Sequence, residues 1–138
     1  MVEPRNQKLA DIIVQGALRF ASVLENELVK YNHLDLVEVE PYPQDTFTVL
    51  IYFRKGRRHY SLNMEEICFD IENRSFSTIR RIYSWIEVED EEGYEARSRE
   101  FLYQDKHAIR IPLRPEAVED SFRELYNKVA EHERLPLV

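Results

Sequence analysis

Residues 46–62, TFTVLIYFRKGRRHYSL, decide the fold. Thr46 to Phe53 is a run of β-branched and aromatic residues suited to a pleated, half-buried surface. Arg54-Lys55-Gly56-Arg57-Arg58 interrupts it with four cations around one glycine, and His59-Tyr60-Ser61-Leu62 resumes the strand pattern. This is the signature of a β-hairpin whose turn uses Gly56 at positive φ. Its tip is basic in a chain whose formal net charge is −7.

Upstream, Leu9, Ile12, Ile13, Ala17, Phe20, Leu24, Leu28 and Tyr31 recur at three- and four-residue steps. That spacing predicts an amphipathic helix from Gln7 to Tyr31 that covers a sheet. Gly16 lies beside the apolar stripe, where it costs up to ~1 kcal/mol relative to alanine unless something packs closely there. Leu36 to Glu40 alternates as a strand, with Val37 and Val39 on one face, and Pro41-Tyr42-Pro43-Gln44-Asp45 is expected to end it.

Downstream, residues 64–89 admit two readings. Met64, Cys68, Ile71, Ser75, Ile79, Ile82 and Ile86 could form one helical stripe, with Asn63 and Glu66 as a capping box. Yet Ile67 to Val88 contains no Leu and no Ala and is rich in Ile, Phe, Tyr, Thr and Ser, types that favour strands. The strand reading is the better one, with a turn at Glu72-Asn73-Arg74-Ser75 and a short helical turn at Met64 to Ile67. Glu89-Asp90-Glu91-Glu92-Gly93 reads as an acidic turn. Tyr94 to Tyr103 then returns as a strand, Gln104 to His107 turns, and Ala108 to Leu113 forms a further strand. Pro115 opens a last helix with the stripe Val118, Phe122, Leu125 and Val129; Lys128, His132 and Arg134 suit its C-terminal dipole, and Pro136 stops it. The sum is an α+β fold over residues 1–138. It has an N-terminal amphipathic helix, an antiparallel sheet of five to six strands in hairpins, and a C-terminal helix packed on the sheet.

Composition excludes several function classes. One cysteine, Cys68, permits no intrachain disulfide. No apolar run approaches the roughly 20 residues that span a bilayer. The start of the chain lacks the charged and apolar regions of a signal peptide, so a cytoplasmic protein is expected. Three glycines, Gly16, Gly56 and Gly93, are too far apart to build a phosphate loop, dinucleotide fingerprint or nucleophile elbow. No lysine follows an acid at the spacing of restriction-type nucleases. His33, His59, His107 and His132 are scattered without zinc spacing, and Cys68 is expected as a small buried hydrophobe. Glu38 with Glu40, and Asp70 with Glu72, would share strand faces, a pattern that solvated faces also give. No metal or cofactor is therefore expected.

What is left is charge. Residues 54–81 hold seven cations and four acids, whereas residues 82–100 hold two cations and seven acids. The candidate binding residues are Arg54, Lys55, Arg57 and Arg58 with Tyr52 and Tyr60 at the hairpin tip, and a separate acidic patch of Glu87, Glu89, Asp90, Glu91 and Glu92. The leading expectation is a non-catalytic protein-binding module of adaptor, chaperone or inhibitor type. Its partner would be another protein or a second copy of itself, held by the opposite patches. Nucleic acid is the alternative ligand, through tip cations and stacking tyrosines. A small-molecule enzyme would require Tyr52, His59, Asp70, Cys68 or Trp85 to converge in a pocket.

Overall fold

The chain leaves its first helix, folds into five antiparallel strands laid down in sequence order, and returns as a second helix. The computed structural model describes residues 4–43, 47–89 and 95–138, the side chains of 4–6, 87–89, 95–101 and 106–108 excepted. Helix α1 spans Pro4–Leu24 and continues into a π-turn, Glu25–Val29. The strands are β1 (Leu36–Tyr42), β2 (Phe47–Lys55), β3 (Arg58–Asp70), β4 (Ser75–Glu89) and β5 (Glu95–Ile109); α2 spans Pro115–Glu133. No helix among the described residues is long and apolar enough to cross a membrane.

Alternation sets which face of the sheet meets the helices. Val49, Ile51 and Phe53 of β2 pair with Met64, Leu62 and Tyr60 of β3, and all six are buried. Ile13, Ala17, Phe20 and Leu24 of α1 close over them together with Val118, Phe122, Leu125 and Val129 of α2. The predicted stripe of α2 and the Ile13-to-Leu28 part of the α1 stripe are thus core, whereas Leu9 and Ile12 are half-buried and Tyr31 is exposed. An odd number of strands brings α2 back in the same direction as α1. Gly16 meets Val118, and four residues on, Phe20 meets Arg123 and Tyr126.

The structure corrects several sequence expectations. The first helix does not run unbroken to Tyr31: the π-turn follows Leu24, and Asn32 at φ 60° closes the segment, with the His33 N–H donating to the Leu28 carbonyl at 3.0 Å. β1 ends inside the expected stretch, at Tyr42, two residues beyond Glu40, and Pro41 is tolerated within it because β1 is an edge strand. The strand reading of residues 64–89 holds, and the turn falls at residues 71–74. Met64 to Ile67 is no helical turn, however, and Asn63 with Glu66 is no capping box. Glu66 and Ile67 oppose the single residue Thr78 in a β-bulge, where Glu66 takes φ 53° and the Thr78 hydroxyl donates to the Glu65 carbonyl at 2.8 Å. Residues 104–107 are no turn either, for β5 runs on to Ile109 and pairs with the equally long β4. One extra residue, Leu102, is absorbed there in a second bulge. The end of α2 is set by Arg134 in the left-handed region, φ 58°, two residues before Pro136.

Arg80 is a buried charge on this largely apolar face. It is 4% exposed, and its guanidinium binds the Asp105 carboxylate of β5, the Ser121 hydroxyl at 3.3 Å and Glu124 of α2 at 3.3 Å. Burial works against its charge, but the Asp105 and Glu124 carboxylates outweigh that and hold its pKa above the usual value. The cluster ties α2 to the β4–β5 side of the sheet.

Two changes test this account. A Cβ on Gly16 would lie 2.4 Å from the Val118 Cβ and 2.7 Å from the Pro115 carbonyl oxygen. Gly16→Ala should therefore lower stability by about 1–3 kcal/mol in urea unfolding, against alanine's normal helix advantage. Asp105→Ala leaves the buried guanidinium short of an anion and should cost about 3 kcal/mol by the same measurement.

Candidate binding surface

The hairpin forms as its sequence predicts. Lys55 pairs with Arg58 across the two-residue loop Gly56-Arg57, with Gly56 at φ 61° and Arg57 outside the left-handed region, the pattern of a II′ turn. The tip cations, however, are drawn into the protein's own framework. Arg54 Nε lies 3.6 Å from the Asp35 carboxylate, which also accepts the Gly56 N–H at 3.2 Å, while the Asp35 N–H donates to the Arg54 carbonyl at 2.8 Å. Lys55 Nζ donates to the Glu133 carbonyl at the end of α2, 3.4 Å, and Arg58 donates to the Ser84 hydroxyl, 3.0 Å. Arg57 stands exposed at the apex.

The two tyrosines expected to flank the tip point to opposite faces of the sheet. Tyr60 is fully buried and stacks on Phe53 at 4.9 Å, so it is a core residue and cannot meet a ligand. Burial, with the Glu133 carboxylate nearby, pushes its phenol above the ordinary range. Period-2 alternation carried this signal in the sequence, since Tyr60 shares parity with Leu62 and Met64.

Tyr52 lies on the other face, the one neither helix covers, and there it meets residues that charge counting overlooked. Pairing runs across the strands from Arg54 to His59 to Trp85, and in the next row from Glu38 to Tyr52 to Ser61 to Tyr83. Trp85 stacks with His59 at 5.3 Å and takes the Tyr52 ring edge-on at 5.8 Å. Ser61 and Asn63 are buried beside them and hydrogen-bond each other. Arg81 binds Glu65 at 3.3 Å on the same face. The result is a cluster of three rings, Tyr52 and His59 half-buried over a buried Trp85, with arginines at its margin.

The remaining candidates are dispersed. Of the acidic patch, Asp90, Glu91 and Glu92 and the side chains of Glu87 and Glu89 lie outside the described residues. Cys68 is exposed at the far end of β3, not buried as expected, since it follows the bulge that shifts strand parity. Asp70 accepts the Asn73 side-chain and backbone N–H groups at 2.6 and 3.1 Å, which hold its carboxyl below the usual range. Glu72 sits in the turn, so that pair shares no strand face. Tyr52, His59 and Trp85 thus converge, whereas Cys68 and Asp70 do not join them. Among the described residues no three His, Cys, Asp or Glu side chains gather as metal ligands. Compared with protein-family models, curated proteins and solved structures, the chain matches none.

The buried phenols make stability pH-dependent at the alkaline end. Tyr60 and Tyr126 are both raised by burial, so in the unfolded chain they ionise near their ordinary value of about 10 while the folded protein keeps them neutral. Their contribution is intact below about pH 10 and is lost as pH rises above it. Thermal melting from about pH 8 to about pH 11 should show a steep fall, flatter in Tyr60→Phe. An identical decline in that variant would exclude Tyr60 as a source.

Proposed function

We propose that the chain is a non-catalytic protein-binding module whose contact surface is the sheet face around the half-buried Tyr52 and His59, backed by the buried Trp85 and bordered by the hairpin tip. The observation that carries this reading is the aromatic cluster itself. Aromatic rings and arginines are the residue types that dominate binding energy at protein interfaces, and rings bury large area with little loss of side-chain freedom. Here they are already immobilised against one another on a rigid sheet, so binding has little ordering left to oppose it. The tip contributes through Arg57, whose exposed charge would steer an acidic partner and act mainly on association rate.

The nucleic-acid alternative loses support from the same geometry. It needed two tyrosines beside a free basic tip, but Tyr60 is buried and three of the four tip cations are engaged within the chain.

The test is tagged purification from the native cells at low salt, with wild type, Tyr52→Ala and Arg57→Glu in parallel. A stoichiometric protein partner should be recovered with wild type. Tyr52→Ala should weaken it by about 2 kcal/mol, roughly thirtyfold in affinity, and Arg57→Glu should slow association with a smaller loss. A partner that binds Tyr52→Ala as tightly as wild type, or nucleic acid in place of protein, would overturn the proposal.

A further inference from the structure

The sheet has two edges, and they are unlike. β1 is seven residues long and contains Pro41. Shortness and proline are both means by which proteins keep foreign strands from docking. β5 is fifteen residues long, contains no proline, and has no partner on its outer side among the described residues. At about 3.4 Å per residue it offers an edge of roughly 50 Å.

The bulge at Leu102 divides this edge into two arms of equal length, 95–101 and 103–109, seven residues each. In sequence the first arm holds two acids and two bases (Glu95, Glu100; Arg97, Arg99), and the second holds one of each (Asp105; Lys106). Each arm is therefore neutral in a chain of net charge −7, and neither repels the other. A groove of about 400 Å³ follows the same strand on the helix side, floored by Ile82, Leu102 and Val129 and crossed by Tyr103 with Lys128 over its ring at 4.6 Å. Leu102 and Tyr103 are only half buried, at the centre of the edge.

We propose that β5 pairs antiparallel with β5 of a second copy about a two-fold axis at Leu102, joining two five-stranded sheets into one of ten strands. Arm 95–101 of each copy then lies along arm 103–109 of the other, so the half-exposed Leu102 is covered by its own counterpart and Tyr103 comes opposite position 101 of the other copy. The contact is isologous and closes: it uses both long edges and leaves only the two β1 edges, which Pro41 guards. Pairing of β5 with β1 would instead be head-to-tail and open-ended, and seven-residue β1 could cover less than half of β5. The open aromatic face lies on β2–β4, so the dimer stands apart from the binding reading above and leaves that face accessible.

The test combines sedimentation equilibrium of the purified full chain, over a wide concentration range, with residue-resolved amide hydrogen exchange. The mass should rise to twice 16.6 kDa, and the outward-facing amides of β5 should become as protected as those facing β4. A chain that stays monomeric at every concentration overturns the proposal. So does a dimer in which alternate β5 amides still exchange fast, because its contact then lies elsewhere. Leu102→Cys in a Cys68→Ser background should form a disulfide-linked dimer under mild oxidation, since the axis brings that position against itself. A dimer that fails to cross-link overturns the axis.

Discussion

At Gly16 the backbone of α1 comes so close to the start of α2 that a single Cβ would collide with Val118 and with the Pro115 carbonyl. That approach places the two helices side by side, and much of the rest follows from their combined width. Helices in close contact sit about 8–10 Å apart, whereas five strands at about 4.8 Å spacing extend further than such a pair can cover. With α1 over β1 and β2, and α2 over β3 and β4, the helix side of β5 is left as a groove. Neither helix covers the opposite face either, although Leu50, Ser61, Asn63 and Trp85 on it are buried by their neighbours. A wider helix spacing would cover β5 but would open a gap above Phe53 and Tyr60, the stacked pair at the centre of the core.

Polar interactions then fix what apolar packing leaves free. The hydrophobic effect is non-directional, so it favours burying α2 without choosing its position along the sheet. Arg80 supplies that choice, because its guanidinium is satisfied only where Ser121 and Glu124 of α2 meet Asp105 of β5. At the other end, the Glu133 carbonyl receives Lys55, and the chain after α2 folds back with Tyr126 donating to the Pro136 carbonyl at 2.9 Å. α2 is therefore located at both ends by directional bonds and along its length by Val118, Phe122, Leu125 and Val129. These buried ionic contacts serve position more than net stability, since desolvating Arg80 offsets much of what its carboxylates return.

Most of the architecture was legible because periodicity reports burial. Both helical stripes, the β2–β3 hairpin and its Gly56 turn followed from spacing and composition alone. The bulges were not legible. A bulge changes strand parity by one residue, and nothing in Glu66 or Leu102 as residue types announces that two residues will oppose one. Cys68 was misplaced for that reason. The long β5 was misread as two strands because Gln104 to His107 is polar enough for a turn. Its pairing with β4 is a non-local fact that no window on the sequence contains. The aromatic platform was half visible: Tyr52, His59 and Trp85 were each noted, but their adjacency depends on the register of three strands.

The charge pattern misled for a related reason. Counting charges along a stretch assumes that neighbours in sequence are neighbours in space, and in an antiparallel sheet capped by helices they are not. Residues 54–81 carry an excess of cations, yet Asp35, Asp105, Glu124 and the Glu133 carbonyl, all from outside that stretch, bind Arg54, Arg80 and Lys55. Arg81, by contrast, finds its acid, Glu65, within the stretch. A cation held in such a pair has already exchanged water for a protein anion, and offering it to a ligand means breaking that bond first. Arg57, alone at the apex of the turn, faces no such cost. On the proposed reading, contact would therefore depend on shape and ring area at the sheet face around Tyr52 more than on a basic field, with Arg57 at its border to sense the sign of what approaches.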